Sequence, residues 1–146
     1  MASTRRTLIA GLFVAGAALA GLSQAQQPRL DFGPVNRDVL DVSLVQLIAN
    51  AEKFDGRPVR VYGVIQLEFE GNALYLSKEH LHQGIYKNAV WLSPDYALLE
   101  AKPEELRKLN GRYVLVEGRF SAKNTGHLGL FSGAIENVTR LMYREK

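Results

Sequence analysis

Cysteine is the most informative absence from this sequence of 146 residues, because none occurs. Without cysteine the chain has no disulfide bond, no thiol nucleophile and no site for a lipid attached through cysteine. A domain of this size buries about two thirds of the surface of its unfolded chain. A hydrophobic core is therefore sufficient to hold it together.

The sequence also lacks an apolar run long enough to span a bilayer, which takes roughly twenty residues. Its main apolar run, residues 8–22, follows Arg5 and Arg6 and precedes the small residues of 23–25. A basic start, a short apolar run and small residues predict a secretory signal peptide, residues 1–25, cleaved after Ala25. The two arginines also fit a twin-arginine signal, so both export routes stay open.

Excess charge of one sign is missing from the part of the chain that would be exported. The whole chain has 18 Lys and Arg against 15 Asp and Glu. Removing Arg5 and Arg6 leaves 18 − 2 = 16 basic residues and the same 15 acidic ones, a net charge near +1. A near-neutral domain gives little support for a surface that binds polyanions.

The sequence contains none of the common catalytic motifs, such as a Gly-rich phosphate loop or a serine elbow. Two groups of residues are candidates for metal binding. His80 and His82 beside Glu79, with distant His127, would suit zinc, and Glu68 with Glu70 would suit calcium or act as paired carboxylates. Neither has the spacing of a known metal site, and both are typical of solvated loops and strand edges. We expect no catalytic residue, no metal site and no cofactor.

Residues 57–70 carry the strongest structural pattern. Every second residue from 59 to 69 is apolar or glycine: Val59, Val61, Gly63, Ile65, Leu67 and Phe69. Strict alternation predicts a half-buried β-strand with these residues facing the core. The central glycine predicts a bend, as when one strand serves two sides of a small barrel.

Other elements follow from caps, turns and alternation. Ser43 and Gln46 form a capping box that begins a helix, which ends before the turn at Asp55-Gly56. Further along, residues 73–77 and 89–93 are predicted strands, and residues 78–88 between them are a loop or a single helical turn. A helix opened by proline follows at residues 103–109, and the last two strands are residues 112–120 and 130–141.

The last two strands carry further detail. Residues 109–118 repeat the pattern of residues 54–63, a helix end, a glycine turn and a strand, so Gly118 is predicted to lie at a second bend. Alternation places Val114, Val116, Gly118 and Phe120 inside and Tyr113, Leu115, Glu117 and Arg119 outside. Poor alternation in the last strand predicts a bulge near Gly133.

The order of helix, three strands, helix and two strands is that of the OB-fold. We therefore predict a mostly β domain with short helices, a five-stranded partly open barrel, over residues 42–146. Residues 26–41 form an extended lead-in, expected to pack against this domain through Leu30, Phe32 and Val35.

Residues 47–63, LIANAEKFDGRPVRVYG, resemble the opening segment of exported bacterial OB-like domains of uncharacterised function. That family has Asn-Pro, an aromatic residue, Gly-Lys and Val-x-Val-x-Gly; Ala51 replaces the proline and Arg57 the lysine. Residues 68–77 and 129–135 resemble other parts of the family, and the resemblance spans about residues 42–141. It implies an OB-like fold and, by analogy with OB-folds, binding rather than catalysis.

Strands two and three form the usual ligand face of an OB barrel, bordered by the loop between strands four and five. Outward parity and this loop give a candidate site of aromatic and polar residues: Arg60, Tyr62, Tyr75, Trp91, Lys123, Asn124 and His127. Aromatic rings here would stack on a base or sugar, and the polar groups would bind a polar ligand. The alternatives are that the lead-in covers this face, or that Trp91 belongs to the core.

The function expected from the sequence is a non-enzymatic binding or interaction module, periplasmic or secreted, with no membrane anchor after signal cleavage. Its ligand would be a glycan, a small molecule or a protein. A nucleic-acid-binding OB protein is the alternative, disfavoured by neutral charge and export. A metal-dependent enzyme has the least support.

The predicted cleavage site gives a direct test. We expect the mature protein to begin near Gln26, because residues 23–25 supply the small side chains that a signal peptidase requires. N-terminal sequencing of the exported protein checks this. An intact Met1 on protein recovered from membranes would contradict it.

Overall fold

The computed structural model describes residues 29–144. The predicted signal peptide and residues 26–28 of the lead-in lie outside the described residues. The strands are β1 (Arg29–Phe32), β2 (Leu40–Asp41), β3 (Pro58–Gln66), β4 (Ala73–Tyr75), β5 (Ala89–Pro94), β6 (Tyr113–Ser121) and β7 (Ala134–Arg144). The α-helices are α1 (Leu44–Ala49), α2 (Ala51–Phe54), α3 (Lys78–His82) and α4 (Pro103–Leu106). Short 3-10 turns lie at Tyr86–Asn88, Arg107–Leu109 and His127–Gly129.

Five of these strands form a closed barrel. The antiparallel pairs β3–β4 and β4–β5 are followed by the parallel pair β5–β7. The antiparallel pairs β7–β6 and β6–β3 complete the ring. Since α4 lies between the third and fourth strands of this ring, the arrangement is that of an OB-like barrel. The predicted fold is confirmed.

The barrel interior is an apolar core whose members come from alternate positions of the five strands. They include Val59, Val61, Ile65, Leu74, Val90, Leu92, Val114, Val116, Phe120 and Ile135. The helices add buried leucines to the same core: Leu44, Leu47, Leu106 and Leu109. The start of α1 is fixed by the predicted capping box, in which the Gln46 N–H donates to Ser43 Oγ and the Ser43 N–H to Gln46 Oε1.

Gly63 lies where β3 exchanges one neighbour for another. From Pro58 to Val64 this strand pairs with β6, and from Val64 to Gln66 it pairs with β4. A Cβ atom at Gly63 would lie 2.8 Å from Leu74 Cγ and 2.8 Å from the carbonyl oxygen of Tyr75. The glycine thus allows the close approach of β4 that closes the barrel.

Gly118 lies at the second predicted irregularity, where the register between β6 and β7 shifts. A Cβ atom there would lie 2.6 Å from Ile135 Cγ2 and 2.8 Å from the carbonyl oxygen of Glu136. The extra residues are on β7, where Asn137 has a φ of 47°. The bulge predicted near Gly133 is therefore centred on Asn137, because β7 begins only at Ala134.

The prediction that Phe69 faces the core is wrong, since its side chain is 89% exposed. β3 ends at Gln66, because the backbone of the next residue, Leu67, forms hydrogen bonds with a side chain instead of with a neighbouring strand. The Leu67 N–H donates to Asn110 Oδ1 at 2.8 Å, and Asn110 Nδ2 donates to the Leu67 carbonyl at 3.0 Å. Residues 68–72 consequently form a loop and lose the alternation of the strand.

The lead-in crosses the outer face of β7, β6 and β3. Its first strand pairs with the end of β7 and its second with the start of β3. Phe32 packs against the core as predicted, whereas Leu30 and Val35 are exposed. Gly33 lies against the bulge of β7, where a Cβ atom would be 1.9 Å from the carbonyl oxygen of Thr139.

Beneath the lead-in lies a row of alternating charges. Glu117 is on the outer face, as parity predicts, but it is fully buried. Its Oε1 accepts from Arg60 Nε at 2.8 Å and lies 3.6 Å from Arg140 Nη1. The lead-in extends the row, because Asp41 pairs with Arg60 at 3.3 Å and Asp31 with Arg140 at 2.9 Å. The hydrogen bond to Glu117 raises the pKa of Arg60, and that to Asp31 raises the pKa of Arg140.

Within residues 29–144, the structure contains no helix with the length and apolar character needed to cross a membrane.

The position of Gly63 gives a stability test. We expect Gly63→Val to reduce the free energy of unfolding by roughly 1–3 kcal/mol, because the new side chain would collide with Leu74 and the backbone of Tyr75. Tyr62→Val is the control, since it introduces the same residue at an exposed position of the same strand. Chemical denaturation measures both, and an unchanged midpoint for Gly63→Val would contradict the close approach.

Candidate functional site

A second, smaller apolar cluster lies outside the barrel on the face of β4 and β5 that OB barrels use for ligands. Its buried members are Val64, Ala73, Tyr75, Ala89 and Phe131, with Leu81 and Trp91 packed against them. Cross-strand pairing brings them together, because Tyr75 lies opposite both Val64 and Ala89, and Ala73 lies opposite Trp91. This face is therefore partly covered.

The cover is the loop between β6 and β7, residues 122–133. The Phe131 ring lies 5.5 Å from the Trp91 ring, measured between centroids. Gly126 also presses onto the indole, since a Cβ atom there would lie 2.7 Å from Trp91 Cβ. Covering of this face was one of the alternatives from the sequence, but this loop covers it and the lead-in does not.

Beside the covered part, a pocket of about 380 Å³ opens between three segments. They are the loop of residues 67–72, the stretch from α3 to the 3-10 turn at Tyr86–Asn88, and the loop of residues 122–133. The polar lining consists of Gln66, Glu68, Glu70, Tyr75, Tyr86 and His127. The apolar lining consists of Phe69, Leu81, Leu130 and Phe131, with Gly71 between the two acidic residues and β4.

Tyr75 is the most enclosed polar residue of the pocket, with 4% of its surface exposed. Its hydroxyl group makes no hydrogen bond to any part of the chain between residues 29 and 144. Burial raises the pKa of Tyr75 to about 12, and the charges of Tyr86 and Glu68 contribute. The neutral hydroxyl can donate one hydrogen bond and accept others. The ring of Tyr75 is enclosed while its hydroxyl opens to the pocket, because the buried side-chain atoms without a partner in the described residues are His80 Nδ1 and Glu117 Oε2.

The mouth of the pocket is acidic. Glu68 accepts a hydrogen bond from the side-chain amide of Gln66, and its own N–H donates to Asn72 Oδ1 at 3.1 Å. Glu70 lies across the mouth from His127, with Oε2 and Nε2 3.9 Å apart. Since neither Lys nor Arg is among the lining residues, the two carboxylates dominate the local potential.

Two aromatic rings form the wall next to Tyr75. The Tyr86 ring lies 6.4 Å from the Tyr75 ring and 5.6 Å from the Phe131 ring, the latter edge to face. Tyr86 is itself exposed, so one side of this wall faces solvent at the pocket mouth. Such a wall offers a surface for stacking or for contact with a cation.

The structure separates the residues of the predicted site into two groups. Tyr75 and His127 line the pocket, and Trp91 lies behind it against Phe131. Arg60 belongs to the charged row under the lead-in, where it binds Glu117. Tyr62 is 54% exposed and stacks on Tyr113, with ring centroids 5.6 Å apart.

The loop residues of the predicted site also differ from one another. Lys123 is exposed. Asn124 turns toward the barrel, where its Nδ2 donates to Glu136 Oε1 at 2.8 Å and its Oδ1 accepts from the Gly126 N–H at 3.0 Å. Asn124 therefore shapes the loop that covers Trp91, and within this loop His127 is the predicted residue that reaches the pocket.

The predicted site contains two of the eleven lining residues, Tyr75 and His127, and misses the other nine, among them Glu68, Glu70, Tyr86 and Phe131. The two glutamates were visible only as a strand edge or a calcium pattern, because the strand was predicted to continue through Phe69. Tyr86 and Phe131 belong to irregular segments without periodicity. The available signal for these two residues was the presence of an aromatic side chain in each irregular segment.

No cluster of three or more His, Asp or Glu residues suited to a metal ion occurs in residues 29–144. The histidine pattern lies on α3, where His80 Nε2 is 3.4 Å from Asn88 Nδ2 and His82 is exposed. Comparisons of the chain with protein-family models, with curated proteins and with solved structures found no match.

The environment of Tyr75 gives a titration test. We expect one of the six tyrosines to ionise near pH 12, and this step to disappear in Tyr75→Phe but remain in Tyr62→Phe. Ultraviolet absorbance of tyrosinate measures it. Because the folded pKa is raised above the ordinary value of about 10, stability is fully present below pH 10 and is lost as pH rises through 12. Ionisation of all tyrosines near pH 10 would contradict the enclosed position.

Proposed function

We propose that this chain is a non-enzymatic binding module of the exported compartment, and that its ligand site is the pocket beside Tyr75. The observation that carries the proposal is Tyr75, whose side chain is nearly buried and lines the pocket, and whose hydroxyl has no hydrogen-bond partner among the described residues. The hydroxyl opens to the pocket, where a bound ligand can supply that partner.

The position of the pocket supports the same proposal. It lies between the loop after the first barrel strand and the loop between the last two, at the face where OB barrels hold their ligands. The pocket is concave, partly aromatic and edged by a few polar groups, which is the usual composition of a binding site. A shared fold is weak support for a shared function, and the lining residues of this chain strengthen it.

Nucleic acid, the alternative ligand from the sequence, is disfavoured by the charges at this site. Proteins bind nucleic acid through Lys and Arg that neutralise phosphates. Here the mouth carries Glu68 and Glu70, and Arg60, the arginine of the predicted site, is paired with Glu117 on another face. Aromatic rings in a pocket whose lining contains neither Lys nor Arg favour a ligand other than nucleic acid.

The N-terminal sequence supports the assignment to an exported compartment. A basic start, an apolar run too short to span a bilayer and small residues before Gln26 are the features of a secretory signal. The complete absence of cysteine is compatible with an oxidising compartment, because no thiol requires protection.

A pocket-filling variant tests the site while its ligand is still unidentified. Leu130→Trp places a larger side chain at the pocket, and Val35→Trp places the same residue on the exposed lead-in as a control. We expect members of a panel of capped tripeptides, monosaccharides and an eight-residue oligothymidylate to shift the backbone amide signal of Tyr75. Leu130→Trp should abolish these shifts and Val35→Trp should retain them. A panel that leaves Tyr75 unchanged would contradict the proposal.

A further inference from the structure

We infer that the ligand of this pocket is a basic segment of another protein, with a Lys or Arg side chain in the pocket and apolar neighbours on Phe69 and Leu128. The inference rests on the proposed function and names its ligand class. Its basis is the charge of the lining together with the apolar side chains exposed on either side of the mouth.

The lining selects for a cation. Glu68 and Glu70 are its acidic side chains, and Glu70 Oε2 lies 3.9 Å from His127 Nε2. Hydrogen bonds between a cation and carboxylates are among the stronger polar contacts. The Gln66 amide donates to Glu68 and so orients this carboxylate before any ligand arrives.

The inner part of the pocket suits the stem and head of a long basic side chain. The Tyr75 hydroxyl has no partner among residues 29–144 and can accept a hydrogen bond from an N–H group, while the ring that carries it is enclosed. Tyr86 and Phe131 present ring surfaces beside it, which suit a guanidinium or ammonium group and the methylenes that carry it. A phosphate or carboxylate ligand would be repelled by Glu68.

The exposed apolar residues point to a protein partner larger than the pocket. Phe69 is 89% exposed and Leu128 is 80% exposed. They lie on the two loops that border the mouth, next to the lining residues Glu70 and His127. A small ligand inside a pocket of about 380 Å³ would contact Phe69 but leave Leu128 uncovered, whereas a chain segment that passes across the mouth would cover both.

Backbone conformation at these loops supports the same conclusion. Leu128 has a φ of 53° and Glu70 a φ of 60°, in the left-handed region that bulky residues rarely adopt. Glycine would adopt this conformation without strain, yet both positions carry side chains. Glu70 lines the pocket and Leu128 is exposed next to the lining residue His127; strain of this kind occurs at ligand sites, and also at bulges such as that of Asn137.

Two peptides that differ only in charge test the inference. The probes are acetyl-Leu-Arg-Leu-amide and the same peptide with citrulline, a neutral isostere of arginine, titrated into the purified protein and followed at the Tyr75 amide. We expect the arginine peptide to bind about 10-fold more tightly, the usual gain from one hydrogen bond with a charged group. Glu68→Gln should remove this preference, and Glu52→Gln, at an exposed site on α2, should retain it.

A second pair of variants tests the apolar contact. Leu128→Ser should weaken binding of the arginine peptide several-fold but leave binding of acetyl-arginine-amide unchanged, because Leu128 is exposed outside the pocket lining and the single residue does not reach it. Val45→Ser is the control at an exposed apolar position on α1. Both variants should retain the melting temperature of the parent chain, since both side chains are exposed.

The outcomes separate this inference from the proposed function. Equal affinity for the arginine and citrulline peptides, or no response to either, would overturn the inference that the ligand is a basic segment. If a monosaccharide still shifts Tyr75 in that case, the binding module remains. Tighter binding of the oligothymidylate than of the arginine peptide would overturn the inference in favour of nucleic acid.

Discussion

The structure depends on one strand that serves two sides of the barrel. β3 pairs with β6 along its first half and with β4 along its second, and the exchange occurs beside Gly63. Because no side chain projects there, Leu74 and the backbone of Tyr75 approach within the space that a Cβ atom would fill. The same approach sets the position of Tyr75 on the outer face, so barrel closure and pocket formation share one physical cause.

The charged row under the lead-in determines which face stays open. Glu117 is buried between Arg60 and Arg140, and the lead-in completes both pairs with Asp41 and Asp31. A buried carboxylate is tolerated only when such partners are present. The lead-in is thus attached to β7, β6 and β3 and does not extend over β4 and β5. Arg60, which the sequence alone assigns to the ligand face, has a structural role.

Alternation was sufficient to predict the barrel, because a core on one side of each strand imposes a period of two. It could not predict what ends or covers a strand. Phe69 is exposed because Asn110, 43 residues from Leu67 in the sequence, takes the place of a strand partner. Glu117 and Tyr75 have the expected parity, but their burial depends on distant segments that carry Asp31 and Phe131. Local patterns carry no information about these contacts.

Several features of the pocket are difficult to explain by folding alone. A left-handed leucine and an exposed phenylalanine oppose stability or solubility, and a hydroxyl on a nearly buried side chain has no protein partner in residues 29–144. They occur at Leu128, Phe69 and Tyr75, in or beside the pocket, whereas the buried side-chain atoms that lack a partner in the described residues are His80 Nδ1 on α3 and Glu117 Oε2 on β6. In natural proteins, local departures from the rules of folding tend to coincide with functional sites. Since the three features involve different physical terms, one defect of packing does not account for them, and they coincide with the pocket that we propose binds a ligand.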